Sequence, residues 1–380
     1  MSSEISALKE INKANANFPY NEYISEWKKE GKKVVGWNCC SALVPEEVIH
    51  AAGILPIWVT GDSKELALDN ANIYLTNHTC SVSRNSLEQA LTGEYDFLDG
   101  FVSTYNCDGT RRLADVWGLN LSIPVIYVLS TPRKFTEKAK EFFAEEIFKF
   151  KQRLEKHFNL EISDASLYKS IETYNNTRRL MGELYNLRKM DKPPISGAES
   201  WQILNASGRM PKEKFNRLLE ETIAEVKQKK RNTGKGSRLM IIGNILNNTE
   251  FIRNIEELGA TVAVDALCPG IIYWSELVKA DSDPIKALSD RYLSKFHQAR
   301  FIPYETRWNE ISKLIDEYKV DGVIMEAVRY CSHHPWDMPR LEMRLKEKGI
   351  PVLNLDIEYG TGMTGQVKTR VQAFLEMISG

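Results

Sequence analysis

Two segments far apart in the chain share one pattern, and this repetition constrains the fold more than any other feature. DGFVSTYNC ends at Cys107 and leads through a predicted helix into IPVIYV, whereas DGVIMEAVRYC ends at Cys331 and leads through another into IPVLNL. Cys107 precedes Pro124 by 17 residues, and Cys331 precedes Pro351 by 20. A short apolar run followed by an amphipathic helix and a second apolar run is typical of a β-α-β unit. The repetition predicts two similarly built domains, each with a cysteine just beyond a strand.

Short strands alternate with helices on both sides of these segments. KVVGW, ILPIWV, FVSTYN and IPVIYVLS are the predicted strands of the first half, and SRLMIIGN, TVAVDAL, VDGVIMEAV and IPVLNLDI those of the second. Such alternation indicates an α/β fold in which helices cover both faces of a parallel sheet. Between the halves the periodicity is helical only. We therefore predict an N-terminal helical segment (1–30), a first α/β domain (31–134), a helical region and linker (135–235) and a second α/β domain (236–380).

The charge balance argues against several partners. With 50 Lys and Arg against 51 Asp and Glu, the formal net charge is −1. We therefore expect neither nucleic acid nor a membrane surface as a partner. No uncharged apolar run reaches membrane-spanning length, and the polar start of the sequence lacks the apolar segment of a signal peptide. These features predict a cytoplasmic protein, in which thiols stay reduced.

Six cysteines therefore require an explanation other than disulfides. Cys80, Cys107 and Cys331 each lie at the predicted start of a helix, where the helix dipole favours a thiolate. The carboxyl edges of two parallel sheets that face each other across a cleft could bring such residues together. Three thiolates without a shared histidine suit an iron–sulfur cluster better than zinc. The residues alone leave open whether these thiols bind a cluster or are small buried side chains.

A four-iron cluster with three protein ligands would leave one iron open for a substrate, as in other open metal sites. The remaining cysteines are ambiguous. Cys39 and Cys40 end a strand, so that one of them could line the cleft. Cys268, which follows the strand TVAVDAL, is interpreted as a small buried apolar residue.

Four further residues are candidate catalytic groups. Glu46 and Glu47 begin a predicted helix, where they either complement its dipole or transfer protons near the cluster. His50, on the same helix, is either a packed residue or a proton donor. His333, next to His334 and just after Cys331, could hydrogen-bond a cluster sulfur or deliver protons, or could be a polar loop residue.

Several motifs together resemble the 2-hydroxyacyl-CoA dehydratase and benzoyl-CoA reductase family: GWNCCSALVPEEVIHAAGILPIWV, HTCSVSRNSLEQAL, STYNCDGTRRLADVW, VRYCSHHPWDMPRLEMRLKEKGIPVLNLDIEYG and GQVKTRVQAFLEM. The resemblance implies two Rossmann-like domains with a helical part, and a cluster held by Cys80, Cys107 and Cys331. It also implies a homodimer or a heterodimer with a related subunit. Electrons would come from a separate ATP-hydrolysing iron–sulfur activator. The absence of a GxxxxGK[ST] phosphate loop is consistent with ATP being handled by that partner.

Within the family, CDGTRRL, DKPPISGAES, DALCPG and DPIKALSDRYL are most similar to benzoyl-CoA reductase-like subunits and to the homodimeric double-cubane proteins. The second branch implies a small-molecule reductase with an 8Fe–9S double cubane shared across a dimer. The alternative is a 4Fe–4S subunit that acts on an acyl-CoA. A further alternative is a hinged α/β binding protein without catalysis. Some relatives carry a cysteine where this chain has Val44 and Pro45, which leaves the roles of Cys39 and Cys40 open.

Overall fold

Eight strands form two four-stranded parallel sheets in the computed structural model, which describes residues 5–40, 42–61, 66–229, 231–246, 248–281 and 283–379. The strands of the first sheet are β1 (Val34–Asn38), β2 (Leu55–Val59), β3 (Gly100–Tyr105) and β4 (Val125–Ser130). Those of the second are β5 (Arg238–Gly243), β6 (Thr261–Ala266), β7 (Gly322–Val328) and β8 (Val352–Ile357).

Both sheets have the same strand order. The first runs β2-β1-β3-β4 and the second β6-β5-β7-β8, with every neighbouring pair parallel. The strands that precede the repeated cysteines, β3 and β7, occupy equivalent positions. The prediction of two α/β units with parallel sheets is therefore confirmed.

Helices cover the sheets and fill the space between them. In the first half of the chain they are α1 (Ser6–Asn12), α2 (Glu22–Lys29), α3 (Glu46–Ala51), α4 (Ala71–Tyr74), α5 (Ser81–Leu91) and α6 (Asp108–Asn120). The central helices are α7 (Glu137–Phe158), α8 (Asp164–Leu187), α9 (Gly197–Ser207) and α10 (Lys212–Gln228). In the second half they are α11 (Thr249–Glu257), α12 (Ile271–Trp274), α13 (Pro284–Ser294), α14 (Tyr304–Glu317), α15 (His334–Glu347) and α16 (Gly365–Ser379).

The two sheets share one apolar core. Alternate side chains of β1, such as Val35 and Trp37, pack into the same cluster as α7–α10 and the strands of the second sheet. Val34 of β1 points to the opposite face, where it joins a smaller cluster with Leu55 and Phe101. The shared core joins both halves to the central helices. None of the described helices combines the length and apolarity needed to cross a membrane.

Candidate functional site

One cavity of about 370 Å³ lies where loops of the two sheets meet. These loops follow the carboxyl ends of the strands, the edge at which open parallel sheets bind ligands. The six cysteines, all within the described residues, form no disulfide. Five of them line the cavity: Cys40, Cys80, Cys107, Cys268 and Cys331. The fold therefore brings together the three cysteines predicted as ligands, although they are scattered in the sequence.

Two of the predicted ligands, Cys80 and Cys107, lie at helix starts, as the sequence indicated. Cys107 is the N-cap of α6, where its Sγ accepts a hydrogen bond from Thr110 N at 3.4 Å. Cys80 is the N-cap of α5, and its Sγ lies 3.5 Å from Ser83 Oγ. Cys331 lies in the turn before α15, and its Sγ accepts a hydrogen bond from His333 N at 3.4 Å. Backbone N–H groups are thus available to stabilise sulfur in its anionic form.

Gly109 leaves open the space next to two of these thiols. A Cβ placed on Gly109 would lie 3.5 Å from Cys80 Sγ, 3.7 Å from Cys107 Sγ and 3.0 Å from Ser83 Oγ. Any larger side chain at this position would project between the thiols, in the volume that a bound metal group needs.

We expect Gly109→Val to impair metal retention while the protein still folds. Overpacking costs about 1–3 kcal/mol, so retention of iron against a chelator should fall about tenfold or more. Iron content after chelator treatment measures this, with circular dichroism as the check on folding. Gly118→Val on the same helix is the matched control, because a Cβ there would lie 3.4 Å from Val125 Cγ2, an ordinary contact, and near neither thiol. Equal retention in the two variants would contradict this role of Gly109.

Three thiols of the cavity, those of Cys40, Cys80 and Cys331, have a raised pKa. Burial raises the pKa of Cys80 to about 11, and the charge of Cys107 adds to that rise. Burial and then the neighbouring thiolates, first that of Cys107, raise the pKa of Cys40 well above its usual value. Burial also raises the pKa of Cys331. Because a metal needs thiolate ligands, binding would release protons from this cavity.

Arg300 is a buried charged residue of the cavity wall. Its side chain is buried, and none of its three guanidinium nitrogens has a hydrogen-bond partner among the described residues. Burial lowers the pKa of Arg300 to about 10, while the thiolates of Cys107 and Cys40 act in the opposite direction. The residue therefore remains a cation near neutral pH. A buried cation without partners is costly unless an anion binds to it.

Single-metal chemistry does not suit this arrangement. In the described part of the chain, no three His, Cys, Asp or Glu side chains form a group that could hold one metal ion. A single zinc ion would require thiolates about 4 Å apart. Thiols that surround a larger space could hold a multi-iron group instead.

Residues 41–378 match the protein family described as 2-hydroxyglutaryl-CoA dehydratase, D-component. The chain belongs to this family. It is 25% identical over 361 residues to the (R)-phenyllactyl-CoA dehydratase beta subunit of Clostridium sporogenes, covering 95% of this chain and 96% of that protein. It is 26% identical to the lactoyl-CoA dehydratase subunit beta of Anaerotignum propionicum, covering 98% of both. It is 23% identical to one subunit of the benzoyl-CoA reductase of Thauera aromatica, covering 93% of both.

The family resemblance drawn from the motifs is thereby confirmed.

The two candidate catalytic acids of this D-component family member lie away from the cavity. Glu46 and Glu47 begin α3, as predicted, but both are buried and neither lines the cavity. Glu46 Oε1 accepts hydrogen bonds from the indole N–H groups of Trp37 at 3.0 Å and Trp58 at 3.2 Å. These contacts are structural, and the proton-transfer role predicted for both acids gains no support from their position.

The two candidate histidines differ in position. His50 contacts Ser170 Oγ at 2.9 Å and Glu213 Oε1 at 3.0 Å, and it does not line the cavity. His333 does line it, and its Nε2 lies 3.2 Å from the Asn106 carbonyl oxygen. Burial, followed by the charge of Arg300, lowers the pKa of His333 to about 4. The ring is therefore neutral near pH 7, with Nε2–H donating to that carbonyl.

The sequence analysis missed three residues of the cavity. Cys268 is buried, as interpreted, but it also belongs to the cavity wall. Asn244 lines the cavity, and its side chain hydrogen-bonds Cys331. Arg300 lies in a loop without any recognisable pattern. Cys80 lies between β2 and β3, and Cys268 lies between the equivalent strands β6 and β7. Comparing these two connections in the sequence would have indicated Cys268, whereas no sequence pattern indicated Arg300.

Glu326 is a buried acid behind the cavity. Its Oε2 accepts a hydrogen bond from Asn244 N at 2.9 Å, and its Oε1 has no partner among the described residues. Burial raises the pKa of Glu326 to about 8. The folded protein therefore retains a proton here that the unfolded chain releases near pH 4.3.

Because the folded protein retains a proton on Glu326, we expect its free energy of unfolding to depend on pH. A raised carboxyl pKa contributes stability that is complete below the unfolded-state pKa and is lost as pH rises through about 8. Between pH 5.5 and 8.5 we expect wild-type stability to fall by up to about 1.4 kcal/mol per pH unit more than that of Glu326→Gln. Denaturant unfolding of both proteins at the two pH values measures the difference. Parallel pH profiles would refute the assignment.

Proposed function

We propose that this chain is the iron–sulfur catalytic component of a low-potential, ATP-dependent reductase of the 2-hydroxyacyl-CoA dehydratase and benzoyl-CoA reductase family. Cys80, Cys107 and Cys331 hold the cluster, and a separate ATP-hydrolysing iron–sulfur activator supplies the electrons. The observation that carries the proposal is the convergence of these three thiols, from two sheets, on one cavity.

The residues present fit such a cluster. The donors are thiols, the ligands that iron–sulfur clusters prefer. Gly109 leaves open the space beside Cys80 and Cys107. Arg300 supplies a buried cation without a hydrogen-bond partner in the described chain, which suits a cofactor of negative charge. When bound, the cluster supplies an electron of low potential to a substrate in the same cavity.

The protein's own side chains would set the conditions for this transfer. Arg300 would offer its unpartnered guanidinium N–H groups to negative charge in the cavity. Burial and then the charge of Arg300 lower the pKa of His333, so that its imidazole is neutral and does not add a competing cation. Residues from the loops of both sheets form the walls of the cavity. Such a site favours charge stabilisation by fixed dipoles.

We favour reduction of a small molecule by a double cubane in a homodimer. The cavity of about 370 Å³ suits a small substrate. A second candidate is a subunit of a heterodimeric enzyme that acts on an acyl-CoA. The names of the relatives favour it, since they include a lactoyl-CoA dehydratase subunit and a benzoyl-CoA reductase subunit. In that case only the acyl part would enter the cavity.

The proposal is tested by iron and acid-labile sulfide per chain in anaerobically purified protein. We expect at least about four irons in the wild type and none in Cys80→Ser/Cys107→Ser/Cys331→Ser. Cys39→Ser is the control, because Cys39 is buried and does not line the cavity. An iron-free wild type that also resists reconstitution would sink the proposal and favour a hinged binding protein.

Activity with an ATP-hydrolysing activator separates the two candidates. A preparation that reduces small multiply bonded molecules in the homodimeric state supports the first. Turnover of an acyl-CoA that requires a related second subunit supports the other.

A further inference from the structure

Two aromatic side chains face each other at the opening of the cavity. His78 lies in the loop between α4 and α5 of the first half, and Tyr330 lies in the turn after β7 of the second. Their ring centroids are 5.2 Å apart with an interplanar angle of 71°, an edge-to-face contact. Both side chains line the cavity, and both are exposed to solvent. A side chain with both properties lies at the opening, so that this contact joins the two rims there.

The backbone of Tyr330 has an unusual conformation. Cys331 N donates to the Val328 carbonyl oxygen at 3.0 Å and closes a turn in which Tyr330 is the third residue. The φ of Tyr330, +63°, lies in the left-handed region, which is unfavourable for an aromatic residue and is normally occupied by glycine. The turn thus holds a tyrosine ring at the opening despite backbone strain, and such strain clusters at functional sites.

The rim that carries His78 is tied to the second half of the chain. Arg84 Nε donates to the Thr79 carbonyl oxygen at 3.0 Å, and Arg84 Nη2 forms an ion pair with Glu358 Oε1 at 3.1 Å. These contacts fix the distance between the rims, so that the width of the opening depends on the positions of the two rings. Rotation of an exposed side chain is faster than movement of a loop. The rings can therefore move while the rims stay in place.

Basic residues are scarce along the cavity. Among the lining residues that the structure describes, Arg300 is the only Lys or Arg, and it is buried. The lining therefore offers no second cation to the phosphate groups of a nucleotide-bearing thioester. Cys107 and Cys331 are partly exposed, so that water-sized molecules reach these residues while the two rings are in contact. The opening thus suits a small uncharged molecule.

We propose that His78 and Tyr330 form a gate that sets the size of the molecules that enter the cavity. With the two rings in contact, small uncharged molecules pass and a bulky acyl thioester does not. Rotation of either ring widens the opening. This inference rests on the proposed function and deepens it, because it limits the substrate class of the cavity by size.

Labelling of the cavity thiols tests the gate in the iron-free, full-length protein. A small reagent, iodoacetamide, is compared with a bulky one, fluorescein maleimide, and alkylation of Cys107 and Cys331 is followed by peptide mass spectrometry. In Tyr330→Ala and in His78→Ala, the rate with the bulky reagent should rise about threefold to tenfold, the range expected for the loss of one aromatic contact. The rate with the small reagent should stay close to that of the wild type.

Tyr74→Ala is the matched control, because Tyr74 is 45% exposed against 46% for Tyr330 and does not line the cavity. It should react like the wild type with both reagents. Tyr330→Gly removes the same ring and relieves the left-handed backbone, so that it keeps the test usable if the alanine variants do not fold. Circular dichroism checks the fold of each variant.

Wild-type rates with the bulky reagent in folded Tyr330→Gly and His78→Ala would overturn the inference. An equal rise with both reagents would overturn it as well, because it would indicate general loosening instead of selection by size. The labelling is independent of cluster binding, since these proteins contain no iron. A wild type that never holds iron would therefore defeat the proposed function, while the labelling rates would still decide whether the gate exists.

Discussion

Glu47→Ala should lower the free energy of unfolding by about 3–5 kcal/mol, the usual cost of removing one partner of a buried ion pair. Glu47 is fully buried, and its carboxylate accepts hydrogen bonds from Arg178 and, at 2.8 Å, from Tyr292. Burial alone would raise the pKa of Glu47, but the charges of Arg178 and Arg291 lower it, so that it is an anion. Its loss would leave the Arg178 guanidinium buried without its counter-ion.

Denaturant unfolding compares this variant with a matched control on α8. Glu172→Ala removes the partner of Arg179 in an exposed ion pair, which should cost less than about 1 kcal/mol. The result also separates a structural from a catalytic role for Glu47. Unchanged stability together with lost turnover would restore the proton-transfer hypothesis.

Arg300→Met should stabilise the iron-free protein and should make the midpoint potential of the iron-loaded protein more negative. In the iron-free protein it removes a buried cation without partners, so that unfolding should become more costly by about 1–3 kcal/mol. In the loaded protein the loss of positive charge should make the midpoint potential more negative, on the order of 60 mV for a tenfold change in a one-electron equilibrium. Arg300→Lys, which keeps the charge, should retain most of that potential.

Unfolding of the iron-free variants and potentiometric titration of the loaded ones provide the two readouts. A side chain that only packs the loop would destabilise both forms when replaced and leave the potential unchanged. That outcome would exclude Arg300 as the cation that balances the bound group.

The fold was predictable because its strands are short apolar runs between amphipathic helices. All eight predicted strands coincide with β1–β8, and the repeated cysteine segments follow the equivalent strands β3 and β7. Periodicity and turn residues are local properties, which the sequence displays directly. The carboxyl-edge rule for parallel sheets then linked Cys107 to Cys331 without knowledge of any distance.

The cavity was predictable only in part, because its other residues depend on how two loops from different sheets meet. Glu46 follows the pattern of first-turn acids, yet three side chains donate hydrogen bonds to it inside the core, those of Trp37, Trp58 and Tyr273. Cys268 was interpreted as an apolar residue, since burial and cavity lining look alike in a sequence. Arg300 resembled any other charged loop residue. Its lack of partners is a property of tertiary packing.

The cavity draws its thiols from both sheets, and this has a mechanical consequence. A metal group bound by Cys80 and Cys331 would join positions 251 residues apart in the chain, as a covalent cross-link does. Oxygen damage to such a group would therefore also loosen the two halves from each other. Exposure of the bound group to air should then be visible as faster amide exchange in the loops of both sheets, before any helix unfolds.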